Sequence, residues 1–358
     1  MGLSMDKAAA HGAGARVMVV DDSAVVRGLI AKNLAAEPGL EVVCTASNGE
    51  LALRDLRRHP VDVVVLDIEM PVMDGLAALE RMVAEHPGIR VIMVSAMTRR
   101  NAEISMKALQ LGAADYVAKP EGGLAGAEAF RTELVAKVKA LAPKGPVAPV
   151  RASRQLAPPQ PRADRAPPLV LAIGASTGGP PALLKVFEGL RGGVRQPILL
   201  TQHMPAAFTV LLAEQLARAG DRPCAEGRDG EPVRPGHCYI APGGWHMTVD
   251  REGASPVIRL NQDPPENFCR PAVDPMLRGA AKVYGAGVMA AILTGMGADG
   301  AKGCEAVVQA GGRFVVQDEA TSVVWGMPGA AAATGLAQAV LPIAEIGPWL
   351  RRTMEVAR

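Results

Sequence analysis

Short runs of β-branched and other apolar residues alternate with amphipathic stretches along most of the chain, and this alternation most constrains the fold. In the first half, strands are predicted at 16–20, 41–46, 61–67, 90–95 and 115–119, and helices near 23–36, 49–58, 74–85, 101–111 and 124–141. Continuous Val, Ile and Leu runs suit strands that are covered on both faces. Their alternation with helices predicts a parallel, doubly wound (βα)5 domain over residues 16–141.

A change of composition divides the chain. Residues 142–168 are rich in Pro and Ala, so we expect an extended linker that buries no core. The β/α alternation then resumes, with strands predicted at 169–173, 197–201, 237–240, 287–293 and 313–316, a hairpin from Met247 to Leu260, and helices at 179–190, 207–219, 274–284, 299–310 and 343–356. This pattern predicts a second doubly wound, mostly parallel α/β domain over 169–358, and residues 1–15 are expected to be a disordered extension.

Composition excludes several classes of protein. The length of 358 residues suits two domains. A net charge of +2 and 3% aromatic residues give no sign of nucleic-acid binding or of attraction to an anionic membrane. The five cysteines are scattered without a CxxC pair, which argues against a zinc site or a disulfide framework. No signal peptide or membrane-spanning segment is predicted, so we expect a cytoplasmic protein.

Polar side chains follow four predicted strands of the first domain. Asp21 and Asp22 close the first strand, Asp67 the third, Ser95 the fourth and Lys119 the fifth. The carboxyl ends of parallel strands share one edge of the sheet, so these groups should meet there. Converging carboxylates suit Mg²⁺, and a cation with a lysine would neutralise an incoming phosphoryl group. The alternative for Asp22 is that it caps the following helix.

The stretches VVDDS, LDIEMPVMDG, MVSAM and AKP, within residues 16–140, resemble the flavodoxin-like receiver domain of two-component response regulators. The resemblance implies that Asp67 is phosphorylated by a histidine kinase. It further implies that Mg²⁺ is bound by Asp21, Asp22, Asp67 and the Glu69 carbonyl. Lys119 would contact the phosphoryl group, and Ser95 and Tyr116 would be the switch hydroxyl and the switch aromatic residue. The resemblance also implies a cis peptide bond at Lys119–Pro120.

A second candidate site begins at Gly174-Ala175-Ser176-Thr177-Gly178. The G-x-S-x-G spacing permits a tight strand-to-helix turn, where a serine hydroxyl would lie near free N–H groups at the helix start. Such a turn would suit a nucleophile. The alternative is a glycine-rich loop that binds phosphate, although the sequence lacks both G-x-G-x-x-G and a Gly-Lys-Ser/Thr ending.

A nucleophilic serine needs a base and an acid that orients the base. His203 follows the predicted strand 197–201 and should lie near Ser176, whereas His237 starts a strand at the opposite edge and His246 is harder to place. Asp299 follows the buried strand 287–293, where N-capping is its alternative role. Asp274 and Asp229 lack such a strand end. The order Ser, His, Asp differs from that of α/β-hydrolases.

The stretches AIGASTGGP, QHMP, APGG and LTGMGADG, over residues 169–355, resemble the catalytic domain of the chemotaxis protein-glutamate methylesterases. A receiver, a Pro-rich linker and this domain make up the architecture of that family. The resemblance implies Ser176 as nucleophile, His203 as base and Asp299 as orienting acid. It also implies the Met296 N–H as an oxyanion donor, to which turn geometry adds the Thr177 N–H. Neither a metal nor a cofactor is expected in this site.

On this resemblance, the expected reaction is hydrolysis of glutamate γ-methyl esters on chemoreceptors, with release of methanol. Deamidation of receptor glutamines would follow the same acyl chemistry. The unphosphorylated receiver is expected to pack over the Ser176 cleft. Three alternatives remain: a general serine esterase for small metabolites, a response regulator that binds DNA, and a binding module without catalysis.

Overall fold

The structure is a computed structural model that describes residues 14–96, 98–120, 123–143 and 166–355, without the side chains of 123–125. The predicted extension over 1–15 and the predicted linker over 142–168 lie almost entirely outside the described residues. Both therefore stay predictions.

The first half forms the five-stranded sheet that the sequence predicts, in the order β2-β1-β3-β4-β5. Strand β1 pairs in parallel with β2 and β3, and β3 pairs in parallel with β4. Its elements are β1 (Ala15–Val20), α1 (Ala24–Ala35), β2 (Leu40–Ala46), α2 (Gly49–Leu56), β3 (Val63–Asp67), α3 (Gly75–Glu85), β4 (Arg90–Ser95), α4 (Arg99–Gln110), β5 (Asp115–Ala118) and α5 (Gly123–Leu141).

Local sequence explains where the helices of this half begin. Ser23, Asn48, Asp74 and Thr98 each accept a hydrogen bond from the backbone N–H three residues later, the usual arrangement of an N-cap. Helix α1 is thus capped by Ser23 and not by Asp22. This removes the capping role that was the alternative for Asp22.

The second half forms a seven-stranded sheet in the order β14-β13-β12-β6-β7-β9-β8, in which all paired strands are parallel. The strands and helices are β6 (Val170–Ala175), α6 (Gly179–Leu190), β7 (Ile198–Gln202), α7 (Ala206–Gly220), β8 (Cys224–Glu226), β9 (Cys238–Ile240), α8 (Val273–Tyr284), β12 (Val288–Ile292), α9 (Ala301–Gln309), β13 (Arg313–Gln317), α10 (Met327–Ala333), β14 (Ala339–Leu341) and α11 (Ile343–Met354). The predicted hairpin is present as β10 (His246–Glu252) and β11 (Ser255–Asn261). The buried side chains of the hairpin pack against α8, so the hairpin extends the apolar core of the second half.

The structure differs from the sequence prediction at a few elements. Strands β8 and β14 have three residues each, and α10 starts with Met-Pro-Gly, so neither the strands nor the helix carries enough periodicity to be recognised. The prediction of a cis peptide bond at Lys119–Pro120 is wrong, because among the described residues the cis peptide bond is Arg270–Pro271. Nothing in the structure explains that difference.

Contacts divide the chain differently from its β/α rhythm. Among the described residues, one unit joins 14–95 with 117–143, and the other joins 96–116 with 166–355. Helix α4 therefore belongs to the second unit, where it packs against α6 and α7. None of the described helices combines the length and the apolar character that crossing a membrane requires.

Candidate functional site

The three predicted carboxylates meet at the carboxyl edge of the first sheet. One oxygen each of Asp21, Asp22 and Asp67 lies within 4.8 Å of the others. Asp21 and Asp67 are buried, whereas Asp22 is exposed. Hard oxygen ligands that share a partly buried edge are what Mg²⁺ binds. The cluster is of the kind through which receiver domains bind this ion.

Lys119 lies beside these acids, as the sequence predicts. Its Nζ is 2.8 Å from Asp67 Oδ1 and 3.0 Å from Asp21 Oδ2. Burial lowers the pKa of Lys119, but the two carboxylates outweigh burial and hold that pKa above its ordinary value. Burial raises the pKa of Asp67, against the opposing effect of Lys119. Asp21 Oδ2 is buried and is contacted by the Lys119 ammonium, so a single lysine faces the three carboxylates of the cluster.

Two further residues of the receiver prediction lie at the same edge. Ser95 is the buried last residue of β4, and its carbonyl accepts the Lys119 N–H at 2.7 Å. Glu69 lies two residues beyond the end of β3, with its side chain exposed. Both stand where a metal or phosphoryl contact from the edge of the sheet is expected, and their roles stay predictions.

Ser176 and His203 follow neighbouring strands in register. The paired residues Ala175 and Gln202 end β6 and β7, so Ser176 and His203 each come one residue beyond a matched position. The His203 N–H donates to the Ala175 carbonyl at 3.2 Å, and Gln202 Nε2 donates to the Ser176 carbonyl at 2.9 Å. Main-chain pairing therefore sets the separation of the predicted nucleophile and base.

Asp299 reaches the same edge from the loop after β12, and it binds His203. The distance from His203 Nε2 to Asp299 Oδ2 is 2.8 Å. The Asp299 carboxylate also accepts the backbone N–H groups of Val273, Asp274 and Gly300 at 2.6, 3.0 and 3.0 Å. Burial disfavours its ionisation, but His203 and the N–H groups of Val273 and Asp274 hold the pKa of Asp299 below its ordinary value.

His203 itself is stabilised as a cation. Burial lowers the pKa of His203, but the hydrogen bond to Asp299 and the contact with Cys269 raise that pKa to about 9. Because Nε2 faces Asp299, Nδ1 is the ring atom left to act as a base. Nδ1 lies 3.3 Å from Cys269 Sγ, and within the described residues Ser176 Oγ makes no hydrogen bond to the ring. A long nucleophile–base contact is common in resting enzymes.

The two predicted oxyanion donors are available. Among the described residues, neither the Met296 N–H nor the Thr177 N–H has a hydrogen-bond acceptor. The loops that carry these donors are joined by Thr294, whose Oγ1 donates to the Thr177 carbonyl at 2.9 Å and accepts the Val324 N–H at 3.0 Å. Thr294 is buried, and within its apolar surroundings no sequence motif marks the hydroxyl as part of the site.

Two glycines let the chain fold this closely. Gly178 has a φ of +75°, and a Cβ there would lie 2.5 Å from Val323 Cβ. A Cβ on Gly295 would lie 2.8 Å from Ser176 Cβ. The first glycine permits the left-handed turn after Ser176, and the second permits the approach of the β12 loop.

The remaining candidates have other roles. His246 Nδ1 accepts the Ala272 N–H, His237 contacts the Pro235 carbonyl, and Asp229 accepts the Leu260 N–H. Each of the three side chains therefore binds a backbone group. Asp274 lies beside Asp299, with which it shares the Gly300 N–H. Asn267 and Cys269 also reach the site, although nothing in their sequence context distinguishes them from other loop residues.

Comparisons with known proteins agree with this geometry. Residues 171–350 match the family model described as CheB methylesterase, and residues 17–127 match the response regulator receiver domain. The chain is 52% identical to a protein-glutamate methylesterase/protein-glutamine glutaminase of Paramagnetospirillum magneticum, over 94% of this chain and 95% of that protein. It is 51% identical to the protein of that name from Azospirillum brasilense, over 96% of this chain and 94% of that protein.

A solved structure gives the same result for the second half. The crystal structure of the Thermotoga maritima CheB methylesterase catalytic domain is 38% identical, with a TM-score of 0.50. The match covers 52% of this chain and 99% of that one. With its receiver half, its second parallel sheet and full-length relatives at about half identity, this chain belongs to the CheB methylesterase family.

Proposed function

We propose that the chain is a receiver-controlled protein-glutamate methylesterase, which hydrolyses glutamate γ-methyl esters on chemoreceptors and also deamidates receptor glutamines. One observation carries the proposal. Ser176 and His203 extend register-paired strands, while Asp299 holds His203 at 2.8 Å. The proposal places the enzyme in the cytoplasm, with chemoreceptors as protein substrates and a chemotaxis histidine kinase as phosphodonor.

Acylation begins when His203 Nδ1 takes the proton of Ser176 Oγ, and that oxygen attacks the ester carbonyl carbon. Asp299 stabilises the imidazolium that forms. The tetrahedral intermediate then collapses, its C–O bond to the methoxy group breaks, and His203 gives its proton to the leaving methanol. In deacylation His203 takes a proton from water, hydroxide attacks the acyl-enzyme, and glutamate leaves as Ser176 is protonated again.

The oxyanion of each intermediate is stabilised by main-chain donors. The Met296 and Thr177 N–H groups have no competing acceptor in the described chain, so they can bind the oxyanion without first breaking a bond. Removing one such donor costs roughly 3–4 kcal/mol of transition-state stabilisation in serine hydrolases. This acyl chemistry needs no cofactor.

In the receiver, Asp67 is the proposed phosphoryl acceptor. Asp21, Asp22 and Asp67, with the Glu69 carbonyl, would hold Mg²⁺, which supplies charge neutralisation for the incoming phosphoryl group. Three carboxylates whose oxygens lie within 4.8 Å of one another, with one lysine beside them, support this fit. Lys119 would hold a phosphoryl oxygen, and Ser95 would follow it as the switch hydroxyl.

Regulation of the esterase is proposed to pass through residues 96–116. In the second unit, the Tyr116 ring stacks on that of Phe208 in α7, with centroids 4.1 Å apart. Thr177 Oγ1 donates to Asp115 Oδ2 at 2.6 Å, directly beside Ser176. These contacts support a restrained resting state. Phosphorylation would draw Ser95 and Tyr116 inward and loosen the restraint on the Ser176 cleft.

Methanol release from a methylated chemoreceptor, with and without a small phosphodonor, tests the proposal. We expect release that rises with the phosphodonor and is abolished by Ser176→Ala with the fold intact. A small methyl ester serves as the comparison substrate. If that ester is hydrolysed faster than the receptor, the chain is a general serine esterase. A phosphodonor effect that survives deletion of residues 1–165 would refute the regulatory part.

A further inference from the structure

A tight turn at Glu266–Cys269 contacts both the predicted acid, Asp299, and the predicted base, His203. The Glu266 and Cys269 backbones exchange two hydrogen bonds, of 3.1 and 2.9 Å. Asn267 and Phe268 between them have φ values of +51° and +63°, as in a type I′ turn. Asn tolerates this left-handed backbone better than most residues. Glu266 also pairs with Arg278 of α8 at 3.0 Å, which fixes the turn on the domain.

The turn faces two buried carboxylates that lie side by side. Asp274 and Asp299 are 2% and 1% exposed, and both accept the Gly300 N–H at 3.0 Å. Burial raises the pKa of Asp274; the Gly303 N–H opposes this, and the charge of Asp299 adds to it. Like charges this close repel each other unless donors separate them. Asp299 can act as an anion toward His203 only if that repulsion is offset.

Asn267 donates to both carboxylates. Its Nδ2 lies 3.0 Å from Asp299 Oδ1 and 3.2 Å from Asp274 Oδ2. Among the described side chains, Asn267 is the one besides His203 that hydrogen-bonds Asp299, and it is the one that hydrogen-bonds Asp274. An amide with two N–H groups can serve two anions at once, whereas a hydroxyl has one proton to give.

We propose that Asn267 is a positioning residue of the esterase reaction. It holds the Asp299 carboxylate so that Oδ2 faces His203 Nε2, and it screens Asp299 from Asp274. The inference rests on the proposed function. Asn267 acts through Asp299 and touches neither the substrate nor the reacting atoms.

Removing the amide should change catalysis in a defined way. Asp299 would be oriented less well, so kcat should fall about 10-fold to 100-fold, the loss expected for one hydrogen bond to a charged group. KM should stay unchanged, because no substrate contact is lost. With less of its charge shared with Asn267, Asp299 would stabilise the imidazolium more, so the acid limb of the pH–kcat profile should move to higher pH.

Asn267→Gly is the direct test, because glycine adopts a φ of +51° without strain. Asp221→Gly is the matched control, since Asp221 also has a left-handed backbone, with a φ of +50°, but caps α7 away from the site. Methanol release from methylated receptor should show the kcat loss and the alkaline shift in Asn267→Gly and neither in Asp221→Gly. Circular dichroism checks that both variants fold.

Asn267→Asp keeps the shape of the side chain but replaces its N–H donors with a third carboxylate. The alkaline shift should therefore be larger in Asn267→Asp than in Asn267→Gly. If either variant keeps the wild-type kcat and the wild-type acid limb while Ser176→Ala is inactive, the inference is overturned and the proposed function stands. An active Ser176→Ala would instead remove the proposed function.

Discussion

At the scale of single residues, His203 lies between an acid and a thiol. Asp299 binds its Nε2, and Cys269 lies against its Nδ1. Both contacts stabilise the protonated ring, although the proposed role as base needs Nδ1 without a proton. The resting site thus holds the proposed base in the form that cannot accept the serine proton.

The pH dependence of methanol release follows from this state. With a pKa of about 9 for His203, protonation blocks the base at pH 7 and is relieved as pH rises. We expect kcat/KM to rise roughly tenfold per pH unit between about pH 6 and 8 and to level off near pH 9. Initial rates from pH 6 to 10 would test this, and a profile that is already flat at pH 7 would contradict it.

Cys269→Ala should move that profile the other way. Removing the thiol removes one contact that raises the pKa of His203, so the acid limb should move to lower pH. Nδ1 would also be freed for Ser176, so kcat should not fall. Cys44→Ala, which changes a thiol of the first sheet, is the control. A limb that stays in place would show that the thiol does not influence the base.

The sequence predicted the location of a residue correctly where a strand end marks it. Ser176 and His203 follow apolar strands, and the structure places both at the same edge of the sheet. Asn267 carries no such mark, because its importance comes from a turn that folds back on Asp299. Asp274 looked unfavourable because no strand leads to it, yet helix α8 carries it to the Gly300 N–H.

At the scale of elements, the site is made by three parallel strands, β7, β6 and β12, and the loops that leave them. Strand β6 lies between the other two, so the serine turn is flanked by the loops that carry His203 and Asp299. Thr294 then ties the β12 loop to the turn. The position of Ser176 therefore depends on hydrogen bonds between loops as well as on the sheet.

Thr294→Val should weaken that connection. Valine has the shape of threonine but leaves the Thr177 carbonyl and the Val324 N–H buried without their partner. The expected cost is about 1–3 kcal/mol in the free energy of unfolding. We also expect a lower kcat, because the turn would no longer be held. Urea denaturation and methanol release measure the two effects, and Thr353→Val, whose hydroxyl bonds a carbonyl within α11, is the control.

Element prediction worked best where burial is complete. Strand β6 is buried at all six positions and was expected from its apolar run. The hairpin was indicated by its turn residues between alternating strands. By contrast, β8 and β14 are edge strands of three residues, and their existence depends on pairing with neighbours that a local pattern does not contain.

At the scale of the whole molecule, the chain combines the proposed site of phosphorylation with the proposed site of ester hydrolysis. Residues 96–116 follow β4, which ends at Ser95, yet by contacts they group with the second sheet. A conformational change at the proposed phosphorylation site can therefore be passed along the main chain from Ser95 into the segment that groups with the second sheet. The sequence pattern placed this segment in the predicted receiver domain over 16–141, because the contacts that group it with the second sheet join residues distant in the chain.

Asp67→Asn should abolish the response to a small phosphodonor without lowering basal methanol release. The variant cannot form the acyl phosphate, whereas the Ser176 site is untouched. Asp74→Asn is the matched control, since Asn caps α3 as well as Asp does. Phosphodonor stimulation that persists in Asp67→Asn would place the phosphorylation elsewhere.

The register of β6 with β7 also bears on how such an enzyme can diversify. An insertion of one residue in either strand would turn every later side chain to the opposite face and carry Ser176 or His203 away from its partner. At the tip of the β10–β11 hairpin, where Gly253 is exposed, an added residue would disturb no main-chain pairing between β6 and β7. Natural length variation among descendants of this chain should accumulate at that tip and be absent from the paired strands.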